Sequence, residues 1–315
     1  MLKSLLKVSI SFVFYAFCLA TLAGYFGQLH MALELLSHFR LQYCYIALAF
    51  SILFVLRKDF THLTIALCIL TLNFAAVYPY YKTDPRISEE PVTVSTQAGL
   101  KILQINVQGG LNIQVPRTIK LIEETAPDIV GLSEITPNWR IVLNRQLKGY
   151  PYRVVEPRHG GIGFYSKVPL TDFEIKYTGK IKRPRILAHI KRNGYEDTLL
   201  VLAHTVIPIR YGNMRNIELN AIANDIKEHK GPAIIFGDLN TTSWSYYFQK
   251  LLKETKSQDS QVGFGIVPTW SATRRPPLIT IDHLLATADF NIMDRKTLKS
   301  VGSDHFPVLV KLAYK

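Results

Sequence analysis

Residues 233–240 read Ala233-Ile234-Ile235-Phe236-Gly237-Asp238-Leu239-Asn240: a short apolar run that ends on a glycine, an acid and an amide. Four consecutive apolar residues closed by a turn signal predict a strand buried on both faces. Gly237 allows a tight turn at its end. A period of two then sends the Asp238 and Asn240 side chains to one side. Turns also favour Gly, Asp and Asn, so this stretch alone does not distinguish a turn from a site.

Its neighbours along the chain make that distinction. Apolar runs of strand length recur at Lys101 to Asn106, Ile129 to Glu134, Gly161 to Ser166, Leu199 to His204 and Phe306 to Leu312. Between them, Val115, Ile119, Ile122 and Ala126 fall at helical spacing, with Pro116 in a first turn where a missing N–H costs nothing. Leu219, Ile222, Ala223 and Ile226 repeat the pattern ahead of Ala233. Alternation of this kind predicts an α/β domain. Most of the runs end on or beside a polar residue: Ile105-Asn106, Ser133-Glu134 and Ala203-His204, with Ile281-Asp282-His283 and Ser303-Asp304-His305 near the carboxyl terminus. Strand ends are where such domains build sites.

The residue types point to phosphoester chemistry. A carboxylate closing a buried strand is costly unless it is paired, exposed or bound to a cation, which makes Glu134 the principal metal-ligand candidate, with Asn106 as a nearby amide oxygen. Histidine meets a phosphoryl oxygen as imidazolium or passes a proton near neutral pH, and His204 and His305 are placed for this, with Asp282 free to orient one of them. His159, His189, His229 and His283 have no such support and read as structural or peripheral.

The first 80 residues differ in kind. Three apolar stretches, Val8 to Gly27, Phe39 to Leu56 and Leu63 to Tyr80, have about the length a bilayer requires, and Tyr78, Tyr80 and Tyr81 supply an interfacial belt. Lys3, Lys7, Arg57 and Lys58 lie in the flanks expected inside, whereas the first connecting loop carries only Arg40. Three spans then put the remainder outside, on the extracytoplasmic face of the membrane. Lys3 and Lys7 before an apolar run also suit a signal peptide, but Ala20 to Ala23 lacks the small-x-small cleavage spacing. Residues 82–98, interrupted by Pro85 and Pro91, read as a linker between an anchor (1–81) and a catalytic domain (99–315). All three cysteines (Cys18, Cys44, Cys68) sit in the anchor, so the domain has no disulfide or thiolate chemistry of its own. Of the net charge of +13, only +3 lies before residue 81, and a basic domain suits a polyanionic substrate or an anionic membrane face.

The order Asn106, Glu134, His204, Asp238-x-Asn240, Asp282, Asp304-His305 resembles the endonuclease/exonuclease/phosphatase superfamily of DNase I-like enzymes, over about residues 100–313. The resemblance implies a four-layer α/β (α+β) sandwich, two mixed β-sheets face to face with helices outside, and a site at one edge. By that resemblance Glu134 and Asn106 hold Mg²⁺ (or Mn²⁺), and Asp238 aligns or deprotonates the attacking water. Asn240 fixes that water and a phosphate oxygen, His204 and His305 meet the phosphoryl charge, Asp282 orients His305, and Asp304 helps place the metal or its water. Family members that cleave DNA often carry long basic or aromatic insertions, and no clear one stands here. Arg274-Arg275 is the best candidate for substrate contact. The spans resemble, more weakly, membrane-anchored bacterial branches that include lipid-diphosphate phosphatases. The expectation is a phosphoesterase acting on a lipid headgroup or isoprenoid diphosphate, with a membrane-tethered nuclease as the alternative. A catalytically dead binding module is disfavoured because every motif position keeps a competent residue.

Overall fold

The computed structural model describes residues 2–82, 99–192, 194–274 and 278–315. All of the expected linker except Lys82 lies outside the described residues, as does Arg275. The amino-terminal part is helical: α1 (Leu2–Ala23), α2 (Met31–Ser37), α3 (Arg40–Leu56) and α4 (Phe60–Val77). Asp59 caps α4 by accepting the His62 N–H, so the third apolar helix starts at Phe60 and not at Leu63. Among the described residues, two stretches, Val8–Phe26 and Phe60–Tyr80, are long and apolar enough to cross a membrane. The expected second span is α3, which reaches that standard only together with α2, and the two are bent by 67°. The helices turn Phe12, Leu19, Ile52, Leu67 and Phe74 outward and keep Thr21, Arg40, Ser51 and Asn73 inside. That inversion of the usual soluble pattern suits lipid. Arg40 Nη1 donates to the Thr21 carbonyl and to Asn73 Oδ1.

The domain comprises β1 (Gly99–Asn106), α5 (Val115–Thr125), β2 (Ile129–Ser133), α6 (Pro137–Gln146), β3 (Tyr152–Glu156), β4 (Ile162–Ser166), β5 (Leu170–Thr178), β6 (Arg183–Ile190), β7 (Thr198–His204), α7 (Pro208–Tyr211), α8 (Met214–His229), β8 (Ala233–Asp238), α9 (Tyr246–Thr255), β9 (Ser257–Asp259), β10 (Asp282–Thr287), β11 (Phe290–Thr297) and β12 (Val308–Tyr314). They form two six-stranded sheets, β11-β12-β1-β2-β4-β3 and β5-β6-β7-β8-β10-β9. Each is mixed, with one parallel pair (β1 with β2, β7 with β8) among antiparallel neighbours. The last strand begins at Val308, after Pro307, which has no N–H to give a ladder. Ala126 has φ 44° and ends α5 in the left-handed region instead of extending it.

Strand alternation builds the layers. Ile102, Leu200, Leu202, Ile234, Phe236, Leu284 and Val310 face the opposite sheet and form one shared core. The alternate residues Leu103, Ile105, Val130 and Leu132 pack under Ile122, Trp139 and Leu143 of α5 and α6. On the other flank Leu199, Val201 and Ile235 pack under Leu219, Ile222 and Phe248 of α8 and α9. Helix, sheet, sheet, helix: the four-layer sandwich is present.

Candidate active site

The site is the polar end of the intersheet core. Ile102 faces the other sheet, so Gln104 and Asn106, two and four residues on, face it too. Leu200 and Leu202 lead to His204 in the same way, Ile234 and Phe236 to Asp238, and Leu284, read backwards, to Asp282. Strand pairing brings these ends level, with His204 opposite Asp238 and Asp238 opposite Asp282. The rows then bond across the gap: Asn106 Nδ2 donates to Asp238 Oδ2 at 2.9 Å and Gln104 Nε2 to Asp282 Oδ1 at 3.0 Å.

Glu134 breaks the period. Its φ of 60° turns the chain out of β2, and Asn106 Nδ2 donates to its Oε1 at 3.0 Å. The Asn106 amide oxygen accepts from the Gln108 N–H at 3.0 Å, which directs the nitrogen toward the two carboxylates. Gly237 has φ 136°, and a Cβ there would lie 1.9 Å from the Ala203 carbonyl oxygen, so only glycine lets β8 approach β7 at this point. Beyond it, Asn240 gives its amide nitrogen to the Thr205 carbonyl at 2.8 Å and its backbone N–H to Asp238 Oδ1 at 3.0 Å.

His305 Nδ1 meets Asp282 Oδ2 at 2.8 Å, and its Nε2 lies 3.8 Å from Asp238 Oδ2 and 3.9 Å from Asp304 Oδ1. Burial opposes a charge on this ring, but Asp282 and Asp238 outweigh it and hold the pKa up to about 10. Asp238 is pushed the other way, to about 7, by burial and then by the Asp282 charge, against the pull of His305. His204 differs from His305. Burial and the nearby Arg183 guanidinium bring it down to about 4, so it is neutral at pH 7. Its Nδ1 lies 2.9 Å from the Gly160 carbonyl oxygen and 3.1 Å from Arg183 Nη1. Its Nε2 faces Glu134 Oε1 and Asp238 Oδ2, each at 3.7 Å.

Those three atoms lie within 4.8 Å of one another, and a second such group joins Asp238, Asp282 and His305. Carboxylate oxygens gathered beside an imidazole nitrogen, where burial penalises net negative charge, make a donor set suited to a hard divalent cation. Glu134, with Asp238 and His204 beside it, would hold that cation in this structure.

Asp304 stands at the rim. Its Oδ2 accepts from Trp270 Nε1 at 3.0 Å and its N–H donates to Gln108 Oε1 at 3.3 Å. The exposed Arg274 guanidinium lies 5.9 Å from the Trp270 ring centre, beside the same edge. His283 is buried and bound to the Thr241 carbonyl. His189 and His229 group with Asp197 at the far ends of β6 and β7, away from the site. Sequence reasoning missed Gln104, Trp270 and Arg183. Gln104 carried a signal, since it shares the inward row with Asn106, but Trp270 and Arg183 reach the site through loop and edge geometry that no motif announces. A separate cavity of about 680 Å³ lies between anchor and domain, lined by Tyr25, Arg40, Tyr80 and Trp244 among others.

The model of the Endonuclease/Exonuclease/phosphatase family matches residues 103–305, which takes in Asp238, Asp282 and His305 in the order of the motifs. The chain belongs to that family. As an endonuclease/exonuclease/phosphatase protein it is a metal-dependent hydrolase of phosphoester bonds. Its fold is similar to the endonuclease/exonuclease/phosphatase from Beutenbergia cavernae DSM 12333 (TM-score 0.56, 19% identity, 69% of this chain and 72% of that one). It is also similar to the mannosyl-6-phosphatase of Bacteroides thetaiotaomicron VPI-5482 (TM-score 0.57, 16% identity, 68% and 100%). A third similar structure is D. rerio TDP2 complexed with single strand DNA product (TM-score 0.57, 17% identity, 68% and 98%). No curated protein matches the sequence.

Proposed function

We propose that this family member is a membrane-anchored, Mg²⁺-dependent phosphoesterase that hydrolyses the phosphate ester or diphosphate of a lipid headgroup or isoprenoid diphosphate, on the extracytoplasmic side. The observation that carries the reading is the seating of the domain on the apolar helices. The Tyr80 carbonyl, just past α4, accepts from the N–H groups of Gly263 and Gly265 at 3.1 and 2.8 Å. The Gln42 side chain, in the first turn of α3, donates to the Leu278 carbonyl. Because α3 and α4 pack as a hairpin, these contacts share one end of the bundle, opposite Arg57 and Lys58. A site held there meets lipid phosphates at high effective concentration.

In this reading Asp238, near neutral pKa, takes the proton of the attacking water, and Asn240 holds that water and a phosphate oxygen. The His305 imidazolium, kept charged by Asp282, meets the charge growing on the phosphoryl oxygens. His204, neutral, offers Nε2 to the cation site with Glu134, while Asn106 donates to both carboxylates. Bound Mg²⁺ would supply Lewis-acid polarisation of the phosphoryl oxygen. Arg274 and Arg275 would contact a phosphate at the rim.

Phosphate release measured in parallel on an isoprenoid diphosphate, a phospholipid and DNA tests the substrate. The expected result is turnover of a lipid phosphate. The charge of +13 and the fold shared with a DNA-bound structure favour a nuclease as the second reading. Its signature would be DNA cleavage with affinity falling steeply as salt rises, and no action on lipid. Topology has its own test. A carboxy-terminal alkaline phosphatase fusion should be active in cells and a green fluorescent protein fusion dark. The reverse pattern would put the domain in the cytoplasm.

A further inference from the structure

Helix α2 does more than connect two apolar helices. Glu34, in its middle, is fully buried, and its Oε1 lies 2.6 Å from Nη2 of Arg215, which is also fully buried. The other arm of that guanidinium, Nη1, donates to the backbone carbonyl of Asn240 at 3.2 Å. Ser245 Oγ donates to the same Glu34 oxygen. His38, at the carboxyl end of α2, meets Thr242 Oγ1 at 2.8 Å through Nδ1, and its carbonyl accepts from Trp244 Nε1 at 3.0 Å. Residues 240–245 are therefore held from beneath by a helix some 200 positions away, and this segment follows directly on Asp238.

We propose that α2 is a positioning element of the phosphoesterase site, in which Glu34 fixes Arg215 and Arg215 fixes the Asn240 backbone, so that the anchor sets the loop behind Asp238. The proposal rests on the functional reading above for what the loop does. Physical reasons favour positioning over simple adhesion. Two charges taken fully out of water gain little net stability over a well-packed apolar pair, so adhesion alone gives no reason for charge here. Arginine offers a planar fork with donors in fixed directions, which can hold a carboxylate and a carbonyl together, whereas a lysine ammonium is a point charge. Asn240 itself has φ 46°, a left-handed conformation that asparagine adopts more readily than other non-glycine residues, so the backbone that Arg215 grips is a sharp turn. Neither Glu34 nor Arg215 reaches the cluster of Glu134, Asp238 and His305, so both are positioning residues and not catalytic ones.

The test uses the full chain in detergent micelles. Glu34→Met combined with Arg215→Met replaces the pair by apolar side chains of similar reach, which keeps α2 docked but removes the grip on Asn240. Arg215→Lys keeps the charge beside Glu34 and loses the fork. Hydrogen exchange is read over residues 239–246 and over β8, together with kcat and KM on bis-p-nitrophenyl phosphate with Mg²⁺. The expected result for both variants is faster exchange confined to 239–246, unchanged β8 protection, and kcat lower by about 10–100-fold with KM little changed, the usual scale for losing a supporting contact behind a site. Wild-type exchange in that segment in both variants would overturn the proposal, and this readout stands even if the wild-type protein cleaves no phosphoester. Faster exchange with wild-type kcat would also overturn it, since the loop would then be held without being needed. A wild-type protein inactive on every phosphoester would count against the functional reading, while the exchange result still decides whether α2 sets the loop.

Discussion

Glu134→Gln should lower turnover of any phosphoester substrate by about 10²–10³-fold, the scale at which losing one preorganised electrostatic partner acts. The substitution keeps the shape and the ability to accept from Asn106 Nδ2, so the local fold should persist. What disappears is the negative charge beside Asp238 Oδ2 and His204 Nε2, the charge proposed to hold the cation. Moderate increases in Mg²⁺ should not restore activity. Dialysis of the wild-type protein against EDTA should give a loss of similar size, reversed by adding Mg²⁺ back. Full activity after exhaustive chelation would remove the metal from the account, and wild-type activity in the variant would remove Glu134 from it.

Asp282→Asn should act as strongly and through a different quantity. Asp282 is fully buried, and burial works against its charge, yet His305 outweighs that and draws its pKa below the ordinary carboxylate range. In return it helps hold His305 near 10, so in the wild-type protein the imidazolium persists below that value and is lost as pH rises through it. Without the carboxylate, burial is opposed by Asp238 and Asp304 alone, and the ring loses its proton at lower pH. At pH 8 the variant should turn over about 10²–10³-fold more slowly, and the alkaline limb of its kcat/KM profile should move toward neutrality. An unchanged alkaline limb would show that His305 does not act as a cation.

The fold was legible because its buried strands are nearly pure apolar runs with polar terminators. The strand read from Ala233 is present and runs to Asp238, and Leu199 to His204 gained one residue at its start. The edge strand β5 was not, since Leu170–Thr178 mixes Asp172, Glu174 and Lys176 with apolar residues on a mostly exposed ribbon. Helix α2 escaped for a related reason: seven residues with one acid resemble a loop, and only the partner Arg215 explains the acid. At the site, chain order brought out Asn106, Glu134, Asp238 and His305 as a set, and the structure gathers all of them. It does not give His204 and His305 the same state. Sequence sees two histidines at strand termini. The structure puts Arg183 and the Gly160 carbonyl on one and Asp282 on the other, which separates a neutral ring from a charged one.

The burial of Glu34 against Arg215 also bears on the order in which the molecule is made. Residue 34 leaves the ribosome long before residue 215, and domains generally fold in that order. The apolar helices are thus in place first, with α2 presenting a carboxylate that awaits a cation. The sandwich, closing later, completes itself against a surface already formed. A fragment starting at Gly99 would be asked to fold without that template. It would expose a guanidinium shaped for a burial it never reaches, and the N–H groups of Gly263 and Gly265 would have no Tyr80 carbonyl to meet. Poor recovery of such a fragment would then report a missing folding partner and not an intrinsically unstable sandwich.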